Sequence, residues 1–176
     1  MKKIIAFGGS NSKNSINKQL ATYASSLVQN VDVKLLDLND FDLPLFGVDV
    51  EAEQGFPADA QKLLKFFEET DGFVISLAEH NAAYTVAFKN LLDWLSRIEG
   101  KLFFKKPMLL MATSDGSRGG QSVLDIAKSR FPRHDAHIIE TFSLPHFSDN
   151  FKAGKIVDIA LDAELKAAVK KFRDHL

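Results

Sequence analysis

Short apolar runs alternate along this chain with stretches in which apolar residues recur every three or four positions. Ile4–Phe7 is the first run. Ile16, Leu20, Ala24, Leu27 and Val28 then share one helical face. Val31–Leu38 reads as a second strand, and residues 39–56, with Pro44, Gly47 and Gly55, as a long connection. Ala60, Leu63, Leu64 and Phe67 mark a second helix, with Pro57 suited to its first turn. Phe73–Leu77 is the third strand, and Ala83, Ala87, Leu91, Leu92 and Leu95 form the third helix. Pro107–Ala112, Gly119 to about Phe131, Ala136–Phe142 and Leu161–Phe172 complete the series as strand, helix, strand and helix. Strands this continuously apolar belong to a parallel sheet covered on both faces. The pattern predicts one α/β domain over residues 1–176 with a five-stranded parallel sheet, and no repeat or linker interrupts it.

A chain of 176 residues can bury roughly 70% of its unfolded surface in one domain. Its formal net charge of −1 shows no nucleic-acid footprint. Cysteine is absent, which excludes disulfides, thiol nucleophiles and thiolate metal sites. Redox chemistry would therefore need a bound cofactor. The first apolar run is too short for a signal peptide, and no later run approaches the ~20 apolar residues of a membrane span. The expectation is a soluble cytoplasmic protein with neither membrane nor nucleic acid as partner.

In a sheet of this kind ligands bind beyond the carboxyl ends of the strands, where strand order reverses. Three loops fall there. The first follows Gly8-Gly9 and is made mostly of Ser and Asn up to Asn17, where the helical period begins. A helix start concentrates unpaired N–H groups and the positive end of the dipole, so it favours a phosphate. Ser10, Ser12, Ser15 and Asn17 add donors without bulk, although Ser and Asn at such a position also serve simply as helix caps. The second loop is Ala78-Glu79-His80-Asn81. The third, Thr113 to Gly120, is polar and glycine-rich, so its backbone can approach a flat ligand closely. The first and third loops both open helices, which doubles the supply of free N–H groups. The five histidines form no metal constellation; His134 and His137 are close in sequence, but the second enters a strand. Trp94 suits either the core or a subunit interface, and Asp93 a pairing on the helix surface.

Three motifs resemble those of the NAD(P)H-dependent FMN reductases, a flavodoxin-like family that includes quinone, azo-dye and chromate reductases. Gly9 to Asn17 is similar to the family's phosphate loop, G-S-x-R-x-x-S-x-N. Glu79-His80-Asn81 with Lys89-Asn90-Leu91-Leu92-Asp93-Trp94 resembles P-E-Y-N followed, at the same spacing, by K-N-A-L-D-W. Ser114 to Gly120 is similar to S-P-G-x-x-G-G, and Leu43-Pro44-Leu45-Phe46 with Asp49 and Glu51 to the family's long loop after the second strand. The chain departs from the pattern in four places. Ser12 stands where the family has Arg, which removes a bidentate, charge-assisted partner for a phosphate and leaves Lys13 as the nearby cation. Ala78 replaces Pro, His80 replaces Tyr, and Thr85-Val86 replaces a Pro-Gly pair.

The resemblance implies a flavodoxin-like α/β/α sandwich with strand order 2-1-3-4-5. It implies FMN with its phosphate on Ser10, Ser12, Ser15, Ile16 and Asn17. The flavin ring would lie between Leu77, Ala78, Glu79, His80 and Asn81 on one side and Ser114, Asp115, Gly116 and Gly119 on the other. NADPH or NADH would deliver hydride to the flavin, which would reduce a small oxidant; Arg118 is a candidate for the nicotinamide cofactor's phosphates. The cofactor carries the chemistry, so no side chain is assigned a catalytic role and no metal is implied. A homodimer or homotetramer is implied as well. Two other classes stay open at this point. One is a non-catalytic flavin-binding electron carrier, for which a net charge of −1 is unusually neutral. The other is an esterase using Ser10, for which the chain offers neither a Gly-x-Asn-Asp block nor an Asp-x-x-His near its C-terminus.

Overall fold

The computed structural model describes all 176 residues. In chain order the elements are β1 (Lys2–Gly9), α1 (Ile16–Ser26), β2 (Val31–Leu35), α2 (Val48–Gln54), α3 (Ala58–Glu69), β3 (Gly72–Leu77), β4 (Glu79–His80) and β5 (Ala83–Tyr84). They continue with α4 (Val86–Ile98), β6 (Pro107–Thr113), α5 (Gln121–Arg130), β7 (His137–Leu144), α6 (Phe147–Asn150), β8 (Phe151–Lys152), β9 (Lys155–Ile156) and α7 (Ile159–Arg173). The five long strands form one parallel sheet in the order β2-β1-β3-β6-β7, which is the flavodoxin-like order 2-1-3-4-5. Strand order reverses at β1. Gly9 pairs with Leu77 and Leu77 with Ala112, so the carboxyl ends of β1, β3 and β6 lie level.

Alternation along each strand sorts its side chains to opposite faces. Ile5, Phe7, Phe73 and Ile75 enter one core with Leu63 and Phe67 of α3, Leu91 and Trp94 of α4, and Val123 of α5. Ile4, Ala6 and Val74 enter the other with Leu20 and Ala24 of α1 and Leu165 and Phe172 of α7. Both cores are built almost entirely of apolar side chains, and this is why the central strands read as nearly continuous apolar runs, Ser76 being the buried polar exception. Gly8 has a specific reason to be glycine: a Cβ there would lie 2.5 Å from the Lys18 nitrogen. The first turn of α1 passes directly over β1, and only a bare backbone allows it.

Several boundaries differ from the sequence expectation. The second strand stops at Leu35 rather than Leu38, because the Asp37 carboxylate accepts from the Asn39 amide and starts a tight turn at residues 38–40. Residues 48–54 form α2 inside the presumed connection. None of α2 is buried, so it carries no apolar period to detect. Ala83 pairs with His80 in a two-stranded hairpin, and α4 starts only at Val86, capped by Thr85. Gly119 and Gly120 both have positive φ, so the fourth long helix begins at Gln121. Between β7 and α7, the short α6 and the β8–β9 hairpin are too brief to have shown a period. No helix is long and apolar enough to cross a membrane.

Candidate active site

The carboxyl ends of β1, β3 and β6 border a cleft of about 250 Å³. Its floor is the loop from Ser10 to the start of α1. Ser15 caps that helix, its Oγ accepting from the Lys18 amide at 3.1 Å, and Ser10 Oγ accepts from the Ser12 amide at 3.1 Å. Each hydroxyl thus spends its oxygen on the loop and keeps its own hydrogen to donate. The amides of Ile16 and Asn17, at the first turn, have no acceptor within the protein. Two free N–H groups and the free O–H groups of Ser10 and Ser15 are the donor set an anion needs at a helix N-terminus.

The Asn17 side chain has a different task. It is 1% exposed, and its Oδ1 accepts from Ser76 Oγ at 2.6 Å and from the Thr113 amide at 3.0 Å. Its Nδ2 donates to the Thr113 carbonyl at 3.1 Å. The amide group ties α1 to the ends of β3 and β6, so only the Asn17 backbone remains free for a ligand. The Thr113 hydroxyl carries the tie outward to β7 by donating to the Leu144 carbonyl at 2.7 Å.

One wall is the β4–β5 hairpin. Glu79 pairs with Tyr84 and His80 with Ala83, and the two turn residues Asn81 and Ala82 both have left-handed φ, near 50° and 59°. Two positive-φ residues make the turn whose twist suits a two-residue hairpin. The hairpin is pinned at both ends. Glu79 Oε2 accepts from the Val123 amide at 2.9 Å, and Thr85 Oγ1 donates to the Gly9 carbonyl at 2.9 Å. Tyr84 packs between Phe88 and Phe131, and burial pushes its phenol up to about 12. The Glu79 contact also corrects one expectation. The N-terminus of α5, which has no side-chain cap of its own from Gly120, is occupied by the protein's own carboxylate. The third loop therefore offers fewer free N–H groups at its helix start than the first, because Val123 donates to Glu79 and Gln121 to the Arg118 carbonyl.

The opposite wall is Thr113–Asp115. Ser148 donates to Asp115 through both hydroxyl and amide, at 2.7 and 2.8 Å, and holds that carboxyl below the usual carboxylate range. Gly119 is demanded by packing: with φ near 56°, a Cβ would lie 2.5 Å from Ser143 Oγ and 2.8 Å from the Leu144 carbonyl carbon. Gly116 is not so constrained, since the nearest atom to a Cβ there is Ser114 Oγ at 3.6 Å.

Of the residues singled out from sequence, Ser10, Ser12, Ser15, Ile16, Asn17, Ala78, Glu79, His80, Ser114 and Asp115 meet at the cleft. Leu77 turns its side chain into the core; Asn81 sits at the hairpin turn, and Gly116 and Gly119 lie outside the lining. Asn14 and Thr113 join it without having been singled out. No Lys or Arg lines the cleft. Lys13 faces a neighbouring depression over α1, with Lys18 and Tyr23, and Arg118 is exposed and unpaired. No group of His, Asp and Glu could hold a metal ion.

The Asn90–Trp94 segment works at a distance from the cleft. Asn90 Oδ1 accepts from the Phe46 amide at 2.8 Å, its Nδ2 donates to the Pro44 carbonyl at 3.0 Å, and Trp94 Nε1 donates to that same carbonyl at 2.7 Å. Spaced four apart on α4, the two side chains clamp the loop at residues 43–46. The Trp94 ring, fully buried, packs edge-on against Phe46 at 5.1 Å. Asp93 pairs with Lys89 on the surface at 2.6 Å. Beside the clamped loop lies a groove of about 710 Å³, which meets the cleft at His80.

The family model for NADPH-dependent FMN reductases matches residues 2–149. The chain belongs to that family. Among curated relatives, a quinone reductase of Escherichia coli K12 is 34% identical over 119 residues, which is 67% of this chain and 63% of that protein. An NADPH azoreductase of Bacillus sp. OY1-2 is 30% identical over 123 residues, 70% of this chain and 65% of that protein. The aligned region thus spans less than two thirds of the length of either relative. Among solved structures, a flavoenzyme NAD(P)H:(acceptor) oxidoreductase from Paracoccus denitrificans superposes with a TM-score of 0.81 at 23% identity. That superposition covers 99% of this chain and 97% of the other, and it shows a shared fold from end to end.

Proposed function

We propose that this FMN-reductase family member is an FMN-dependent NAD(P)H oxidoreductase acting on small oxidants. The observation that carries the reading is the donor set at the start of α1: two amides without acceptors and two free hydroxyls, at the point where strand order reverses. That set fits the phosphate of FMN. Ser10, Ser12 and Ser15 would hold it through hydroxyls, Ile16 and Asn17 through backbone N–H. The positive end of α1 stands in for the missing cation. The flat ring would lie between the hairpin backbone at Leu77–Asn81 and the segment Ser114–Gly119, where Gly116 leaves room for a ring edge. Bound there, FMN would supply the redox chemistry, accepting hydride at N5 from NADPH or NADH and passing electrons to quinone-, azo-, flavin- or metal-oxyanion-type oxidants. The protein's own part is to position that ring, and backbone amides near it would stabilise the negative charge that reduction brings.

We further infer a homodimer or homotetramer located in the cytoplasm. What supports a partner protomer is that Leu45, Val48 and Val86 are each more than 70% exposed, apolar side chains that an interface would cover. The decisive experiment is the absorbance spectrum of the purified protein mixed with FMN, before and after anaerobic NADPH. Flavin bands that bleach, followed by steady NADPH consumption with a quinone, establish a reductase. Bleaching without turnover marks an electron carrier, and no retained flavin refutes the reading.

A further inference from the structure

The depression over α1 adjoins the cleft, and Asn14 and Ser15 line both. It holds about 430 Å³ between α1 and the β8–β9 hairpin, within the range of roughly 300–1,000 Å³ typical of small-molecule sites. It follows α1 from Ser15 to Ser26, roughly 16 Å at about 1.5 Å per residue. Leu45, Val48 and Val86, the side chains a partner protomer would cover, lie outside it. No Asp or Glu lines it, and two lysines do. Lys18 is paired with Asp37, whereas Lys13 is exposed and belongs to no ion pair. Polar groups are sorted along its length. Donors stand at the end next to the cleft, in Lys13 and the free O–H of Ser15. Acceptors stand further along the helix. The Thr22 and Ser26 hydroxyls donate to the Lys18 and Tyr23 carbonyls, at 2.8 and 2.7 Å, and keep their lone pairs to accept. Tyr23, held by a 2.5 Å hydrogen bond to Asp162, packs edge-on against Phe151 at 5.9 Å and gives this end an aromatic wall.

The cleft offers a phosphate neutral donors and no cation, and an unpaired cation stands in the cavity that continues from it. Two linked phosphates span what one does not. We propose that the depression is a subsite for an adenosine phosphate, and that the protein takes FAD at least as readily as FMN, with the FMN half in the cleft and the AMP half along α1. The proposal rests on the FMN reading above and extends it. The second phosphate would meet Lys13, a charge-assisted donor with no carboxylate lining the same cavity to compete for it. The adenine amino group and the ribose hydroxyls are hydrogen-bond donors, and the Thr22 and Ser26 oxygens are free to accept from them. The aromatic wall at Tyr23 suits a base. The cavity thus runs from cation to acceptor as AMP runs from anion to amine.

The test is calorimetric titration of the flavin-free full chain with FMN and, separately, with FAD, at a physiological salt concentration that screens exposed charges beyond roughly 8 Å. FAD binds at least as tightly as FMN. Lys13→Gln lowers the ratio of FAD affinity to FMN affinity at least fivefold, and Thr22→Val, which removes an acceptor, lowers it as well. A second readout locates the AMP half: in NMR the backbone amide resonances of Gln19, Thr22 and Gly154 move when FAD binds and stay in place when FMN binds. FAD that binds more weakly than FMN, a ratio that Lys13→Gln leaves within twofold, or resonances that FAD does not move overturns the proposal and leaves the FMN reading intact. NADP⁺ added to the FMN-loaded protein is the further arm, since it too carries an adenosine phosphate. Resonances that move with NADP⁺ and not with FAD would assign the subsite to the nicotinamide nucleotide and overturn its assignment to FAD. Failure of both flavins to bind removes the FMN reading as well.

Discussion

Replacing Asn17 by Ala separates the scaffold from the ligand site. The side chain makes three buried hydrogen bonds, two through Oδ1 and one through Nδ2. Truncation leaves the Thr113 N–H and C=O without partners, while the Ser76 hydroxyl can rotate elsewhere. An unsatisfied buried polar group costs about 1–3 kcal/mol, so two such groups, allowing for relaxation, cost about 3 kcal/mol. For a chain of this size 1 kcal/mol moves Tm by roughly 2–4 °C, which predicts a drop of roughly 6–12 °C in thermal unfolding of the FMN-free protein followed by circular dichroism. FMN affinity, measured by fluorescence quenching well below that Tm, should fall less than tenfold, because in the proposed site only the Asn17 backbone would face the phosphate. An unchanged Tm would show that the three bonds contribute nothing net. A folded variant that binds no FMN would show that the side chain itself holds the ligand, and the division of labour argued above would be wrong.

Five further outcomes follow from the same geometry. Ser15→Asp keeps a good N-cap and hence Tm, but sets a negative charge against the phosphate and should weaken FMN at least tenfold in a titration. Gly116→Val should leave Tm within about 1 °C, because nothing in the protein crowds that position, yet lower flavin content in the purified protein; Gly119→Ala, with positive φ and a backbone clash, should lower Tm by several degrees. Glu79→Ala removes the acceptor for the Val123 amide and should cost about 1 kcal/mol in urea unfolding, as loss of a helix cap does. Asp71 is held below the usual carboxylate range first by the Lys3 amide and then by Lys2, so its folded value lies below its unfolded one; its stabilisation is present at neutral pH and lost on acidification, and Asp71→Asn should flatten that acid limb of Tm against pH.

What the sequence made legible follows from periodicity. Four of the five long strands and all five helices packed on the sheet have a buried face, and a buried face leaves a pattern. α2 has no buried residue, and the β4–β5 and β8–β9 hairpins contribute two residues per strand, so neither offers a period to read. The candidate site was legible for a related reason. A helix that opens just after a strand needs small polar residues whether it caps itself or binds a ligand, and Ser10, Ser12 and Ser15 satisfy both needs. The roles of Asn17 and Glu79 were not legible, because their partners lie 96 and 44 positions away in sequence. Their types suit an anion site and a loop wall equally well. Only the fold shows that one is a strut and the other a plug.

That plug bears on where an anion can settle. α1 and α5 both begin at the carboxyl edge of the sheet, and both carry the positive end of a helix dipole. At α5 the Glu79 carboxylate already takes the Val123 amide, so a phosphate there would meet like charge within the first turn. α1 has no acid in its first turn, and its two leading amides are unclaimed. One helix start carries a carboxylate and the other carries none, which favours Ser10–Asn17 as the phosphate end of the proposed site. The rest of the ligand must then run along the level strand ends toward His80. In the proposed complex that path would bring the flavin ring between the β4–β5 hairpin and the segment Ser114–Gly119, beyond the donors that hold its phosphate.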